Sequence, residues 1–290
     1  MTPLRVRELD AGAVDEILAL AEAASQADGS YPLAEDAVLR LRRPADHLLV
    51  RATGGRLLGY AQVADGTGEL VVHPDARRRG VGRALLTEAI AVAGGGLRIW
   101  AHGDHPGAAG LARTLGLTRS RVLHRLRRSL RDPIPAPQLP AGVALRSFRP
   151  GDDDQAWLAV NGRAFADHPE QGRWTIEDLR LRQAEPWFDP AGFLLAVNQA
   201  DDRLLGFHWT KIHPGEAGAE PIGEVYVLGV DPAAHGTGLG TALTLAGLAY
   251  LRDRGLSQVM LYVDESNTAA MKLYTKLGFT RWTADVMYSA

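Results

Sequence analysis

The sequence predicts an α+β protein built from two tandem domains, and three observations carry that reading. VVHPDARRRGVGRAL, residues 71–85, lies without a gap on GVDPAAHGTGLGTAL, residues 229–243, at the 158-residue offset that separates Gly80 from Gly238. A proline and two spaced glycines coincide. RDPIPAPQLPAG, residues 131–142, holds four prolines, which lack backbone donors and favour an extended connector. On either side of that linker the order of strand-like and helix-like stretches repeats. A period of 158 residues is a duplicated domain, since solenoid units repeat every ~20 to 50 residues. The domains expected are therefore 1–130 and 143–290, joined by 131–142.

The elements follow in order. In the first half a strand is read at 4–9 and helices at 14–24 and 34–41, where apolar residues recur at helical spacing. Short apolar runs then give strands at 47–52, 57–63 and 69–73. After the glycine loop come a helix at 82–93, a strand at 97–101, a short helix at 107–115 and a last strand at 121–130. That last stretch, RVLHRLRRSL, has arginines partly alternating with apolar residues, the mark of a solvated strand face rather than a nucleic-acid site. The second half gives strands at 143–148, 193–197, 204–211, 224–230, 258–263 and 281–288, with helices between and a long one after HGTGLG.

Composition narrows the function. With 290 residues, 46% hydrophobic and 23% charged, the chain has ample core for two globular domains. A formal charge of −2 argues against nucleic acid as the main partner. The absence of cysteine excludes disulfides, thiolate metal sites and cysteine nucleophiles. MTPLRVRELD lacks the apolar core of a signal peptide, and no apolar run approaches the ~20 residues of a membrane span. A cytoplasmic protein, with no membrane partner, is expected.

The two glycine loops suggest chemistry. A strand ending in V-x-P, a loop with glycines two apart and a long helix can bind phosphate: glycine permits close backbone approach, and the first helical N–H groups point at an anion. A tight turn is an equal alternative for either loop alone. There is no G-K-[ST] Walker loop, and Gly236, Gly238 and Gly240 do not make G-x-G-x-x-G.

The loops do resemble the acetyl-CoA loop of the GNAT superfamily of acetyltransferases, [RQ]-x-x-G-x-[GA]. Arg77, Gly80 and Gly82 match it fully; His235, Gly238 and Gly240 match except that histidine replaces Arg or Gln. NTAAMKLYTKLGF, residues 267–279, resembles the superfamily's second CoA segment. NGRAFADHPEQGRW, WFDPAG, LLGFHWTKIHP and GEVYVLGVDPAA, with ELVVHP and WAHGDHP in the first half, resemble the mycothiol synthase family of tandem GNAT proteins over nearly the whole chain.

The resemblance implies two GNAT-type domains, each a mixed, mostly antiparallel twisted sheet flanked by helices. It implies acetyl transfer from acetyl-CoA, without a metal, to the free cysteinyl amine of desacetylmycothiol, a cysteine joined to glucosaminyl-inositol; a monomer is expected, although the sequence itself does not settle the oligomeric state. It further implies Glu224 as base through water, Tyr274 as acid for the leaving thiolate, and the Leu228 N–H on the acetyl carbonyl. Acceptor contacts are carried over to Glu35 (with Asp36 as the neighbouring register), Glu170, Lys211, Tyr262 and Glu224. Cofactor contacts fall on Leu228, Gly229 and Val230, then on His235, Gly236, Thr237, Gly238, Leu239, Gly240 and Thr241. On the second segment they fall on Asn267, Thr268, Ala269, Ala270, Met271 and Lys272. The first-half counterparts are Leu70, Val71 and Val72 with Arg78, Arg79, Gly80, Val81, Gly82 and Arg83. His168, ahead of Pro169, is read as shaping its loop.

The halves differ where protons move. The loop offset of 158 sets Gly66 opposite Glu224, and an offset of 162 sets Ala112 opposite Tyr274 and His105 opposite Asn267. The first half is thus expected to bind acetyl-CoA or act as scaffold without catalysing transfer. The alternatives are a tandem acetyltransferase for another amine, such as an aminoglycoside, or a non-catalytic acetyl-CoA binder. His235 is expected either near the CoA phosphates or facing solvent.

Overall fold

The computed structural model describes residues 2–167, 171–215 and 220–290. They form two compact units: unit 1 comprises Met1–His124, Asp264–Ser266 and Thr283–Ala290, and unit 2 comprises Arg125–Val263 and Asn267–Trp282.

Unit 1 contains β1 (Leu4–Val6), α1 (Ala11–Asp28), α2 (Glu35–Arg40), β2 (Asp46–Arg51), β3 (Leu57–Ala64), β4 (Thr67–Val72), α3 (Val81–Val92), β5 (Arg98–Ala101), α4 (Pro106–Thr114) and the start of β6 (Thr118–Ser129). Strands β1 to β4 pair antiparallel in sequence order, β4 pairs parallel with β5, and the end of the chain's last strand runs antiparallel to β5, with Val286 opposite Ala101. Helix α1 places Val14, Ile17, Leu20, Ala21 and Ala24 on one buried stripe, the 3.6-residue spacing expected of a helix lying on a sheet. Asp10 caps it by accepting from the Ala13 N–H. Helix α3 covers the opposite face with Leu85, Leu86 and Ala89.

Unit 2 repeats the plan with β7 (Val143–Ser147), α5 (Asp154–Ala164), α6 (Ile176–Gln183), β8 (Phe193–Asn198), β9 (Leu204–His213), β10 (Ile222–Val230), α7 (Leu239–Asp253), β11 (Gln258–Asp264), α8 (Thr268–Lys276) and the start of β12 (Thr280–Ser289). Strands β7 to β10 are antiparallel and β10 to β11 parallel. Both units are thus mixed, mostly antiparallel sheets flanked by helices. Helix α7 buries Leu239, Leu243, Leu248 and Leu251 on one face. The other face is aromatic: Trp157, Phe193, Phe207 and Trp209 are fully buried, and the Phe193 and Trp209 rings stack at 4.4 Å. Among the described residues no helix is long and apolar enough to cross a membrane.

The predicted elements are all present, with ends that shift by a few residues. Strand β9 runs to His213 and β10 starts at Ile222, two residues beyond the expected bounds at each end of that hairpin. Strand β6 begins at Thr118 rather than at 121.

One difference between the units is local and consequential. The β3–β4 ladder runs without a slip from Gly59 opposite Val72 to Ala64 opposite Thr67. The β9–β10 ladder slips by one residue, with Val225 opposite Thr210 and Val227 opposite Trp209. Tyr226 is the extra residue of a β-bulge. Upstream of the bulge the correspondence between halves therefore moves by one: Thr67, not Gly66, takes the ladder position of Glu224. Its hydroxyl is no carboxylate, so the expected loss of the base from the first half stands on a different residue.

Unit 1 also buries a charged cluster. His102 Nε2 lies 3.3 Å from Glu69 Oε1 and its Nδ1 lies 3.1 Å from Asp285 Oδ2. The remaining carboxylate oxygens accept N–H groups, Glu69 from Ala34 at 2.7 Å and Asp285 from Gly103 at 2.9 Å. Burial alone would push the imidazole pKa down, but the two carboxylates outweigh it and push it up to about 10. His102 ties α2's approach, β4 and the last strand together. Its protonation stabilises the fold fully below the unfolded-state value of ~6.5 and is lost as pH rises through about 10. His102→Ala leaves two buried carboxylates without a cation and is expected to destabilise by ~3–5 kcal/mol. Denaturant unfolding checks this. Wild-type stability should fall as pH rises from ~6.5 to about 10 in a component that the variant lacks.

Candidate active site

The glycine loop of unit 2 follows from its backbone. After Val230 the chain makes a short 3-10 turn, Pro232–Ala234, capped by Asp231, which accepts from the Ala233 N–H. Gly236 and Gly238 then take φ of 77° and 85°, left-handed values that cost an L side chain about 1–2 kcal/mol. Helix α7 starts at Leu239 with Gly238 as N-cap and no side-chain cap. Its first N–H groups keep the dipole's positive end for a ligand. In unit 1 the same turn puts Gly80 at φ 86° ahead of the equally uncapped α3. There Arg78 occupies the first left-handed position, at φ 59°. By contrast, α4 and α8 carry side-chain caps: His105 accepts from the Gly107 N–H and Asn267 from the Ala270 N–H, both at 3.0 Å. The Asn267 carbonyl oxygen is thus used within α8, leaving its amide N–H₂ as the group it can offer a ligand.

His235 resolves into a structural role. Its Nε2 donates to the Val230 carbonyl at 3.1 Å, and Arg77 Nε donates to the Val72 carbonyl at 3.2 Å. These are the same positions at the 158-residue offset. Each side chain folds back to close the turn on the end of the strand; the His235 ring, otherwise exposed, keeps open both expectations, phosphate contact and solvent. The two part company beyond that bond. Arg77 also makes a bidentate pair with Asp28, both contacts 2.7 Å. Arg78, Arg79 and Arg83 are exposed at the head of α3, where unit 2 has the uncharged Gly236, Thr237 and Thr241.

Strand β10 is where the site opens. Among the described residues its ladder to β11 joins Gly223, Glu224 and Val225 to Val259, Met260 and Leu261, while β10 continues to Val230, paired throughout with β9. Among the described residues, 227–230, which include Leu228, Gly229 and Val230, lie beyond that register with β11. The bulge also sorts side chains. Glu224 and Val227 lie opposite Lys211 and Trp209 on the aromatic face, whereas Val225 and Leu228 lie opposite Thr210 and His208 on the α7 face. A regular strand would put Glu224 and Leu228 on one side. The bulge puts them on two.

Glu224 is 5% exposed. His213, next but one to Lys211 on β9, donates from Nε2 to Glu224 Oε2 at 2.6 Å. Sequence reasoning missed this histidine, although the period-2 rule puts residues 211 and 213 on one face. Lys211 is buried, its ammonium 4.3 Å from the Trp187 ring centroid and 5.2 Å from that of Tyr226, a cation–π setting. Arg182 joins the same wall: its guanidinium lies 3.9 Å over Trp174 and bonds the Tyr226 hydroxyl at 2.9 Å.

The other expected residues are distributed as follows. Tyr274 is buried against Val225, Leu261 and Phe279 in the α7 and α8 core, and burial pushes its phenol pKa well above the ordinary value. Tyr262 is exposed on β11, with the Arg125 guanidinium 5.2 Å over its ring. Thr268 and Ala269 are exposed at the start of α8 and Lys272 one turn on, with Ala270 and Met271 partly buried. In unit 1, Glu35 opens α2 and the neighbouring Asp36 is held by Arg40 at 2.7 Å. Leu70, Val71 and Val72 end β4, whose parallel ladder joins Thr67, Gly68 and Glu69 to Arg98, Ile99 and Trp100. Glu170 and His168 lie outside the described residues.

The Acetyltransferase (GNAT) family matches the chain twice, over residues 13–117 and 159–279. A mycothiol acetyltransferase of Salinispora arenicola is 62% identical over 294 residues, covering 98% of this chain and 95% of that protein. One of Thermobispora bispora is 59% identical over 284 residues, with 96% of each chain covered. Among solved structures, a GCN5-related N-acetyltransferase from Sphaerobacter thermophilus is 26% identical with a TM-score of 0.71, covering 99% of this chain and 95% of that one. A tandem GNAT protein from the clavulanic acid biosynthesis pathway, at 23% identity and a TM-score of 0.74, covers 99% and 97% and shares the fold.

Gly229 sits where β10 needs close approach: a Cβ there would lie 2.7 Å from the Phe207 ring and 3.2 Å from that of Phe165. Gly229→Ala is expected to cost ~1–3 kcal/mol of stability by overpacking and to weaken CoA binding by moving that end of β10. Thermal melting and a CoA titration by calorimetry check both.

Proposed function

Since the chain belongs to the acetyltransferase (GNAT) family, we propose that it transfers the acetyl group of acetyl-CoA to the free cysteinyl amine of desacetylmycothiol, giving mycothiol and CoA. The observation that carries this reading is the pairing of a buried, hydrogen-bonded Glu224 with an uncapped, glycine-led helix at the other end of the same strand. A base and an anion site on one strand suit transfer from a phosphate-bearing donor to an amine. The relatives named mycothiol acetyltransferase, aligned over nearly all of this chain, support the acceptor.

The reaction needs a neutral amine, an oriented thioester and a proton for the departing thiolate. In our reading Glu224 takes a proton from the acceptor's ammonium, through a water. A free α-amine has a pKa of ~7.7–8.0, so a modest base suffices. The amine nitrogen then bonds to the thioester carbonyl carbon, the Leu228 N–H donates to the carbonyl oxygen, the C–S bond breaks and the thiolate takes the Tyr274 proton, while the second proton of the amine nitrogen leaves through water and restores the phenol, giving the neutral amide and CoA. A phenol kept protonated by burial suits that last role. Loop residues 235–241 and the start of α8, Asn267 to Lys272, would hold the phosphates and pantetheine. Lys211 and Tyr262 would meet the sugar and inositol hydroxyls. Unit 1, with Thr67 and Ala112 at the proton-transfer positions and exposed arginines on its loop, would bind acetyl-CoA or act as scaffold without turning it over. The chain would work as a cytoplasmic monomer.

Tyr274→Phe keeps the packing ring and removes only the hydroxyl. We expect ~10²-fold lower kcat at unchanged melting temperature, and Glu224→Gln to lose a similar factor. Steady-state rates with desacetylmycothiol, and with an aminoglycoside as competing acceptor, test the reading. Full activity in both variants would remove the assigned acid and base, and preference for the aminoglycoside would replace the acceptor.

A further inference from the structure

We propose that His213 is a positioning residue for acetyl transfer, its imidazole N–H holding one oxygen of the Glu224 carboxylate so that the other is presented to the acceptor amine. The proposal rests on the reading of Glu224 as the base.

Three observations on the strands converge. His213 is the last residue of β9 and Glu224 the third of β10; their ladder partners are Ile222 and Lys211. The two are therefore diagonal neighbours on one face of an antiparallel pair, a separation that long side chains bridge. The bridge is made, Nε2 to Oε2 at 2.6 Å, the short distance of a hydrogen bond to a charged acceptor. The His213 side chain is 33% exposed against 7% for that of Glu224, so the pair links a buried carboxylate to a more open group at the strand end.

Glu224 has three rotatable side-chain bonds, and fixing them costs rotamer freedom. A base that must meet one amine proton gains from having that freedom removed before the substrate arrives. Lys211, directly opposite Glu224, has its ammonium over the Trp187 and Tyr226 rings, and Arg182 is bonded to the Tyr226 hydroxyl. Among the described residues, His213 donates to the carboxylate itself.

The test compares His213→Ala, His213→Gln and Glu224→Gln in the full chain. Glutamine carries an amide N–H at nearly the reach of the imidazole Nε2. His213→Ala is expected to lower kcat by about tenfold or more, with the KM for acetyl-CoA within about twofold of wild type and an unchanged melting temperature. His213→Gln is expected to restore kcat to within about threefold. An unchanged kcat in His213→Ala alongside an impaired Glu224→Gln would overturn the positioning role and leave the base in place. A glutamine variant as slow as the alanine one, melting like wild type, would overturn it too. An unimpaired Glu224→Gln would instead remove the base on which the proposal rests. If His213→Ala melts early, the kcat of the glutamine variant decides: wild-type-like turnover upholds the N–H role and slow turnover rejects it.

Discussion

The arrangement of unit 2 depends on one extra residue. Tyr226 lengthens β10 by one position relative to β9, and that slip lets a single strand serve two environments. Upstream, Glu224 joins the aromatic wall with Lys211 and Trp209; downstream, Leu228 joins the α7 side. Without it the carboxylate and the Leu228 side chain would share a face, and residues from 227 onward would reverse their directions. The cost of the bulge is a locally broken ladder. Packing recovers it: the Tyr226 ring lies 5.0 Å from Trp187 and 5.2 Å from Trp209, and its hydroxyl accepts from Arg182. An apolar wall that also fixes a phenol and a guanidinium is rigid enough to hold Glu224 at 5% exposure.

The duplicated halves show how one scaffold supports different chemistry. Both keep the strand, the turn and the uncapped helix, because these follow from proline and glycine positions that the backbone itself requires. His235 and Arg77 keep one shared duty, the bond to the last strand carbonyl. Arginine has donors to spare, and in unit 1 they go to Asp28; histidine completes the turn with one nitrogen. The straight β4 of unit 1 brings Glu69 to the ladder position of Val227. There it serves a buried cluster with His102 and Asp285 that holds structure together. A carboxylate two residues away from the corresponding base position has thus become part of the core.

Much of this was legible in the sequence because it follows from local periodicity. The strands and helices of both halves emerge from apolar spacing, and the loops from V-x-P followed by glycines. The bulge was not legible, since an alignment without gaps near the glycines says nothing about a slip four residues upstream of Val230; the opposition of Gly66 and Glu224 failed there and Thr67 replaced it. The C-terminal strand was found, but its membership was not. Residues 283–290 belong to unit 1 while 267–282 belong to unit 2, a long-range pairing that no local pattern encodes. His213 stood in plain view within HWTKIHP, two positions after Lys211. Its significance depends on the strand reaching residue 213 and on the diagonal register with β10, both tertiary facts.

The placement of Tyr274 completes the physical case for a division of labour along this strand. Its surroundings are the aliphatic side chains of β10, β11 and α8, which favour the neutral phenol over the phenolate. Glu224 lies on the other face, bonded to an imidazole N–H in a polar and aromatic setting. A proton donor belongs where its charged form is disfavoured, and a proton acceptor where its charged form has a hydrogen-bond partner. The sheet separates these two environments by the thickness of one strand, and the bulge at Tyr226 turns the strand between them. In the proposed reading acid and base thus sit in environments that suit them, whereas unit 1 keeps the uncapped loop helix with Thr67 and Ala112 at the corresponding positions.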